Sequence, residues 1–198
     1  MSKILIVVDM QNDFVTGVLG TNRAKEIIPK VQDKINEYQS NGHHVIFTKD
    51  THQTDYLQTQ EGRYLPVEHC IEDTEGWKII PELRPYASPY SIHRKAHFGT
   101  TGLNELWNLQ RYDEIELIGV CTGICVLSNA IILKAQLPET RIIVDADCCG
   151  CVTAISHNAA LKSMQMCQID VLNWQHDRIN WGSLEYYEHR LTNGGNDV

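Results

Sequence analysis

The apolar positions of this chain change period repeatedly along its length. Ile4-Leu5-Ile6-Val7-Val8 is an unbroken aliphatic run, the pattern of a strand buried on both faces in a parallel sheet. Residues 22–40 then place Ala24, Ile27, Ile28, Val31, Ile35 and Tyr38 at helical spacing, which predicts one amphipathic helix stopped at Asn41-Gly42. Residues 44–48 return to a strand pattern and complete a β-α-β unit, whose crossover is expected to be right-handed. Between 49 and 90 the periodicity is lost, and Thr, Gln, Glu, Pro and Gly dominate. A loop of that length inside a compact domain is usually functional. Alternation resumes with a helix over 102–110, a strand over 114–118, a helix over 122–136, a strand over 141–144, a helix over 153–166 and a strand over 169–172. The fold class predicted is α/β, three layers (α/β/α) around a mostly parallel, doubly wound sheet. Residues 1–198 read as one domain, with 193–198 as a loose tail.

Charge and cysteine usage narrow the partners. The formal net charge is −8, and no Lys/Arg cluster offers a footprint for phosphates, which argues against nucleic acid and anionic membranes as partners. The run 4–8 is too short for a secretion signal or a membrane span. Together with an odd count of seven cysteines, this points to free thiols in a reducing, cytoplasmic compartment. Cys148, Cys149 and Cys151 lack a second well-spaced Cys or His pair and read as packed thiols. No role follows from the sequence for these three or for Cys167.

Candidate chemistry falls where ligands bind in doubly wound sheets, beyond the carboxyl ends of the strands. Asp9 ends the first apolar strand. A carboxylate there is poorly solvated and its pKa tends upward, so it is either a base or a turn cap. Gly119-Val120-Cys121-Thr122-Gly123-Ile124-Cys125-Val126 joins a strand to a helix; a cysteine at that N-terminus is either an activated nucleophile beside oxyanion-binding N–H groups or a small packing residue. Lys95, in His93-Arg94-Lys95-Ala96-His97-Phe98-Gly99-Thr100, reads alone as a surface lysine. Asp50-x-His52, followed by Glu61 and His69, offers oxygen and nitrogen donors suited to a divalent transition metal, or a polar surface loop.

Taken together these pieces resemble the isochorismatase-like cysteine hydrolase superfamily, and within it the nicotinamidase branch. The resemblance is carried by Ile6 through Phe14, by Thr48-Lys49-Asp50-Thr51-His52, by Leu65-Pro66-Val67-Glu68-His69-Cys70, by Lys95 before Phe98-Gly99-Thr100, by 119–126 and by Val144-Asp145-Ala146-Asp147-Cys148. It implies a catalytic triad of Asp9, Lys95 and Cys125. It further implies a cis peptide within Val120-Cys121, with the Cys121 and Cys125 N–H groups as an oxyanion hole. The implied metal ligands are Asp50, His52 and His69, with Glu61 in place of a histidine that many relatives carry at the position of Gln58. The metal would be zinc, with iron or manganese as alternatives. Phe14, Leu65, Phe98 and Val120 are the implied substrate contacts; Leu65 stands where relatives often carry an aromatic residue. The implied activity is hydrolysis of nicotinamide or a similar small aromatic amide to acid and ammonia through a thioester. A homo-oligomer is implied as well. Trp181, Tyr186 and Tyr187 are available for an interface or for packing the chain end. The rival readings are a metal-free relative acting on another amide, carbamoyl or vinyl-ether substrate, a non-catalytic binding module on the same fold, and a thiol-redox or zinc-storage protein.

Overall fold

The computed structural model of the protein describes residues 1–175. Six strands form one sheet in the order β3-β2-β1-β4-β5-β6: β1 Lys3–Val8, β2 His44–Asp50, β3 Ile92–Lys95, β4 Glu114–Val120, β5 Arg141–Gly150 and β6 Asp170–Leu172. All five pairings are parallel. Every crossover therefore needs a covering segment, and the sequence supplies helices: α1 Asn12–Val15, α2 Asn22–Glu26, α3 Ile28–Ser40, α4 Gln60–Tyr64, α5 Gly102–Trp107, α6 Leu127–Gln136 and α7 Ala154–Met166.

The pleat of β1 sorts the core into two halves. Leu5 and Val7 pack with Val31, Ile35 and Tyr38 of α3 and with Ile79, Ile80 and Leu83 of the long loop. Ile4, Ile6 and Val8 pack with Leu103 of α5, Ala130 and Leu133 of α6 and Leu161 and Met164 of α7. Because side chains alternate across a strand, one five-residue apolar run serves both layers.

Several elements differ from the sequence expectations. The single helix over 22–40 is two, broken at Ile27 just before α3, which opens with Pro29 in its first turn; proline has no N–H to donate and its ring crowds the preceding turn. The helix over 102–110 ends at Asn108, whose backbone is left-handed (φ 48°). The helix over 122–136 begins as a wide π-turn, Thr122–Val126. The strand over 141–144 runs on to Gly150. The edge strand β3 is an addition: Lys95, which alone reads as a surface lysine, is the buried last residue of a strand and pairs with Asp50. The tail 193–198 and Trp181, Tyr186 and Tyr187 lie outside the described residues.

The order places the switch point between β1 and β4, which leave their carboxyl ends in opposite directions and open a crevice. At that point β4 must hug β1. Gly119 pairs with Val8, has φ +115°, and a Cβ there would lie 2.2 Å from the Val8 carbonyl oxygen. Only glycine fits both conditions, so the turn after β4 is delivered against the residue after β1.

Candidate active site

Three side chains distant in sequence converge over the ends of β1, β3 and β4. Lys95 Nζ lies 2.6 Å from Asp9 Oδ2 and 3.8 Å from Cys125 Sγ, and all three residues are at most 5% exposed. Asp9 is held in left-handed backbone (φ 48°), a conformation that costs on the order of 1–2 kcal/mol outside glycine. Thr48 at the next strand end fixes it: the hydroxyl donates to Asp9 Oδ1 at 2.6 Å and accepts from the Asp9 N–H at 3.2 Å. Cys125 sits in the π-turn, where the N–H groups of Ile124 and Val126 both bond the Cys121 carbonyl at 3.0 and 3.1 Å. The Val120-Cys121 peptide is cis, in line with the expectation from the family motif.

The electrostatics of this group favour a retained proton. Burial pushes the Asp9 carboxyl up, and the Asp50 charge adds to that, against the pull of Lys95. Burial likewise pushes the Cys125 thiol well above its usual value, with the Asp9 charge next and a hydrogen bond to Asp9 contributing. Lys95 is held above the ordinary lysine value: burial opposes the charge, but Asp9, Cys125 and Asp50 outweigh it. Burial thus acts against a Cys125 thiolate, and the Lys95 ammonium is the neighbouring group that acts for it.

A second cluster adjoins the first. One ligating atom each of Asp50, His52, Glu61 and His69 lie within 4.8 Å of one another. His52 Nε2 is 3.1 Å from Asp50 Oδ2, and His69 Nε2 is 3.8 Å from the same oxygen and 3.9 Å from Glu61 Oε1. Zinc held at about 2.0–2.1 Å by four ligands spaces them about 3.3 Å apart, so this donor set is close to a coordination sphere. The His69 Nδ1–H donates to the Val67 carbonyl at 2.8 Å, which leaves Nε2 as the free ligand atom. Asp50 is shared: its Oδ2 faces His52 while Oδ1 lies 3.3 Å from Lys95 Nζ. Burial opposes the Asp50 charge, but the His52 hydrogen bond and the Lys95, His52 and His69 charges hold its carboxyl below the usual range.

A cavity of about 460 Å³ joins the two clusters. Cys125, Asp50, Glu61 and His69 line it, and so do all four expected substrate contacts, Phe14, Leu65, Phe98 and Val120, together with Cys121. His52 is not among its lining residues.

Other residues set the geometry, and sequence reasoning gave them no role. The Gln11 side chain, fully buried, accepts from the Asp50 N–H at 2.7 Å and donates to the Asp50 carbonyl at 2.8 Å, clamping the end of β2. Asn129 donates to the Phe98 and Cys125 carbonyls at 3.1 and 2.8 Å and accepts from Thr100 N–H at 3.1 Å, tying the Phe98 segment to the π-turn. Asp13 accepts the Cys70 N–H at 2.8 Å and anchors the stretch carrying His69. Gln11, Asp13 and Thr48 lie inside the runs that carried the family resemblance; Asn129 had no signal beyond being polar in apolar surroundings.

Comparison with known proteins agrees with this architecture. The family model described as "Isochorismatase domain" matches residues 3–176. An isochorismatase family protein, PncA, of Bacillus subtilis is 30% identical over 174 residues, covering 82% of this chain and 93% of its own. The nicotinamidase/pyrazinamidase of Mycobacterium tuberculosis is 28% identical over 185 residues, covering 86% and 98%. Among solved structures, the pyrazinamidase of Pyrococcus horikoshii in complex with zinc superposes with a TM-score of 0.74 at 24% identity, covering 88% of this chain and 100% of that one. The chain belongs to the isochorismatase family.

Proposed function

We propose that this protein is a cysteine amidohydrolase of the nicotinamidase type, cleaving nicotinamide or a similar small aromatic carboxamide to the acid and ammonia. That it is an amide-cleaving hydrolase follows from its family and its curated relatives. The finer reading rests on one observation above others: Asp9 and Lys95 converge on Cys125, and Cys125 lines a cavity that the metal-type donors Asp50, Glu61 and His69 also line.

The chemistry follows from the juxtaposition of the three groups. As the Cys125 sulfur attacks the carboxamide carbon, Asp9 takes the thiol proton. Lys95 stabilises the charge that passes between them. The developing O⁻ is assigned to the Cys121 and Cys125 N–H groups; loss of one such donor typically costs on the order of 10²–10³ in rate. The C–N bond breaks as Asp9 returns the proton to nitrogen, and ammonia leaves. Water, deprotonated by Asp9, then adds to the thioester; the C–S bond breaks and Cys125 regains its proton. Phe14, Leu65, Phe98 and Val120 would pack the aromatic ring.

Asp50, His52, Glu61 and His69 would hold a divalent metal, zinc first on this mixed imidazole–carboxylate set, with iron or manganese as alternatives. When bound, it supplies a Lewis acid that orients a ring-nitrogen substrate. The zinc-bound fold neighbour supports the same choice. We further take the chain as one domain acting as a homo-oligomer in the cytoplasm, a setting that suits seven free thiols.

Ammonia release from nicotinamide and a panel of small amides, with and without chelator, tests the reading. Release that is fastest on aromatic carboxamides and falls on chelation supports it. Turnover of carbamoyl substrates alone, indifferent to chelator, replaces it with the metal-free alternative.

A further inference from the structure

Two thiols on the cavity wall have no part in the reaction described. Cys121 Sγ lies 3.1 Å from Cys151 Sγ, and both residues line the cavity that Cys125 faces. The fold brings them together: Val120 and Gly150 are register partners on β4 and β5, and each cysteine is the next residue along. Neighbouring parallel strands lie about 4.7–4.9 Å apart, within the Cα separation a disulfide spans. Cys151 also sits among groups that favour an anion. It precedes α7, whose N-cap Thr153 and Ser156 form a capping box, and the Ser156 hydroxyl lies 3.2 Å from the Cys151 sulfur. The Cys121 S–H is directed at Cys151, and this, against burial, with Ser156 and the Gly123 and Val152 N–H groups, holds the Cys151 thiol below the ordinary range.

We propose that Cys121 and Cys151 form a redox dithiol on the active-site wall, which a hydroperoxide closes to a disulfide and a thiol reductant reopens, switching turnover off and on. The Cys151 thiolate attacks the terminal oxygen of hydrogen peroxide. The O–O bond breaks, an S–O bond forms, and the departing hydroxide takes up a proton to give water. The Cys121 sulfur then attacks the Cys151 sulfur; the S–O bond breaks, the S–S bond forms, and a second water leaves with the Cys121 proton. Two thiols lose two electrons and one peroxide becomes two waters. Closure draws the sulfurs from 3.1 Å to about 2.05 Å and pulls on the residue assigned as an oxyanion donor. The effect on turnover rests on the amidase reading; the cross-link does not.

The full chain is treated with low hydrogen peroxide, alkylated without reduction and mapped by mass spectrometry, and its amidase activity is followed before and after adding dithiothreitol. The expected product is a Cys121–Cys151 peptide pair, lighter by two hydrogens, with turnover reduced about 10–100-fold and restored by reductant. Cys151→Ser and Cys151→Ala, each compared with its own reduced form and each checked by thermal melting, keep their activity in peroxide. Cys167→Ser, which removes an exposed thiol outside the cavity, still cross-links. Recovery of both cysteines alkylated overturns the dithiol. A cross-link without loss of turnover, or equal loss in the Cys151 variants, overturns the switch and assigns any inactivation to Cys125.

Discussion

Near the amino ends of β4 and β5, Lys34 reaches Glu116 at 3.0 Å and Asp145 at 2.9 Å; beyond the carboxyl ends, Lys95 reaches Asp9 at 2.6 Å and Asp50 at 3.3 Å. Each is one ammonium shared by two buried carboxylates. The remaining shell separates them. At the amino end neutral donors complete the carboxylates: the Tyr38 hydroxyl to Glu116 at 2.6 Å and the Asn173 amide to Asp145 at 2.9 Å. There Lys34 is held above its ordinary value, because Glu116 and Asp145 outweigh burial. Glu114 is held below its own, because Lys3 and Arg141 outweigh burial. Both shifts confirm an existing charge. At the carboxyl end the nearest further group is a third acid, the Cys125 thiol, and burial pushes both it and Asp9 toward protonation. A buried ion cluster is scaffold when its donors match its acceptors, and a proton-transfer site when one acid is left over.

The sharpest way to break this contrast is to remove the surplus acid. Cys125→Ala is expected to lower kcat by on the order of 10⁴-fold or more while circular dichroism stays unchanged; a variant with full ammonia release ends the account. Asp9→Asn is expected to cost about 10³-fold. Because Asp9 lies above its ordinary 3.8, the acid limb of the wild-type pH–rate profile should fall above that value, and residual activity in Asp9→Asn should lose that limb. At the other end, Lys34→Met should leave kcat/KM per folded molecule within about twofold, but lower unfolding stability by about 1–3 kcal/mol in denaturant titration. The smallest expected effect separates the ends by sign. Glu114, held low, contributes stability that is present above 4.5 and lost as pH falls through its folded value. Asp9, held high, contributes in the opposite sense, fully below 3.8 and lost as pH rises through its folded value. Glu114→Gln should therefore flatten the acid side of the stability curve, read as denaturation midpoint against pH.

Much of this contrast was legible before any coordinates. The apolar run 4–8 and the stripe of α3 marked the layers, since burial on both faces and helical spacing leave direct traces in sequence. The metal donors were visible because Asp50-x-His52 brings two of them from one strand end. Lys95 was recoverable only by family resemblance. Its four-residue strand, Ile-His-Arg-Lys, has one exposed charge and no apolar run, and only pairing with β2 makes it a strand. Gln11, Thr48 and Asn129 were missed for a related reason: each acts on backbone groups or side chains tens of residues away, and local sequence holds no record of such a partner.

Asp50 turns its two oxygens outward to different masters, one to the ammonium and one to the imidazole. An engineer who strips the histidines to build a metal-independent variant also unseats the carboxylate that steadies Lys95. The two half-sites are grafted, lost or redesigned as one unit.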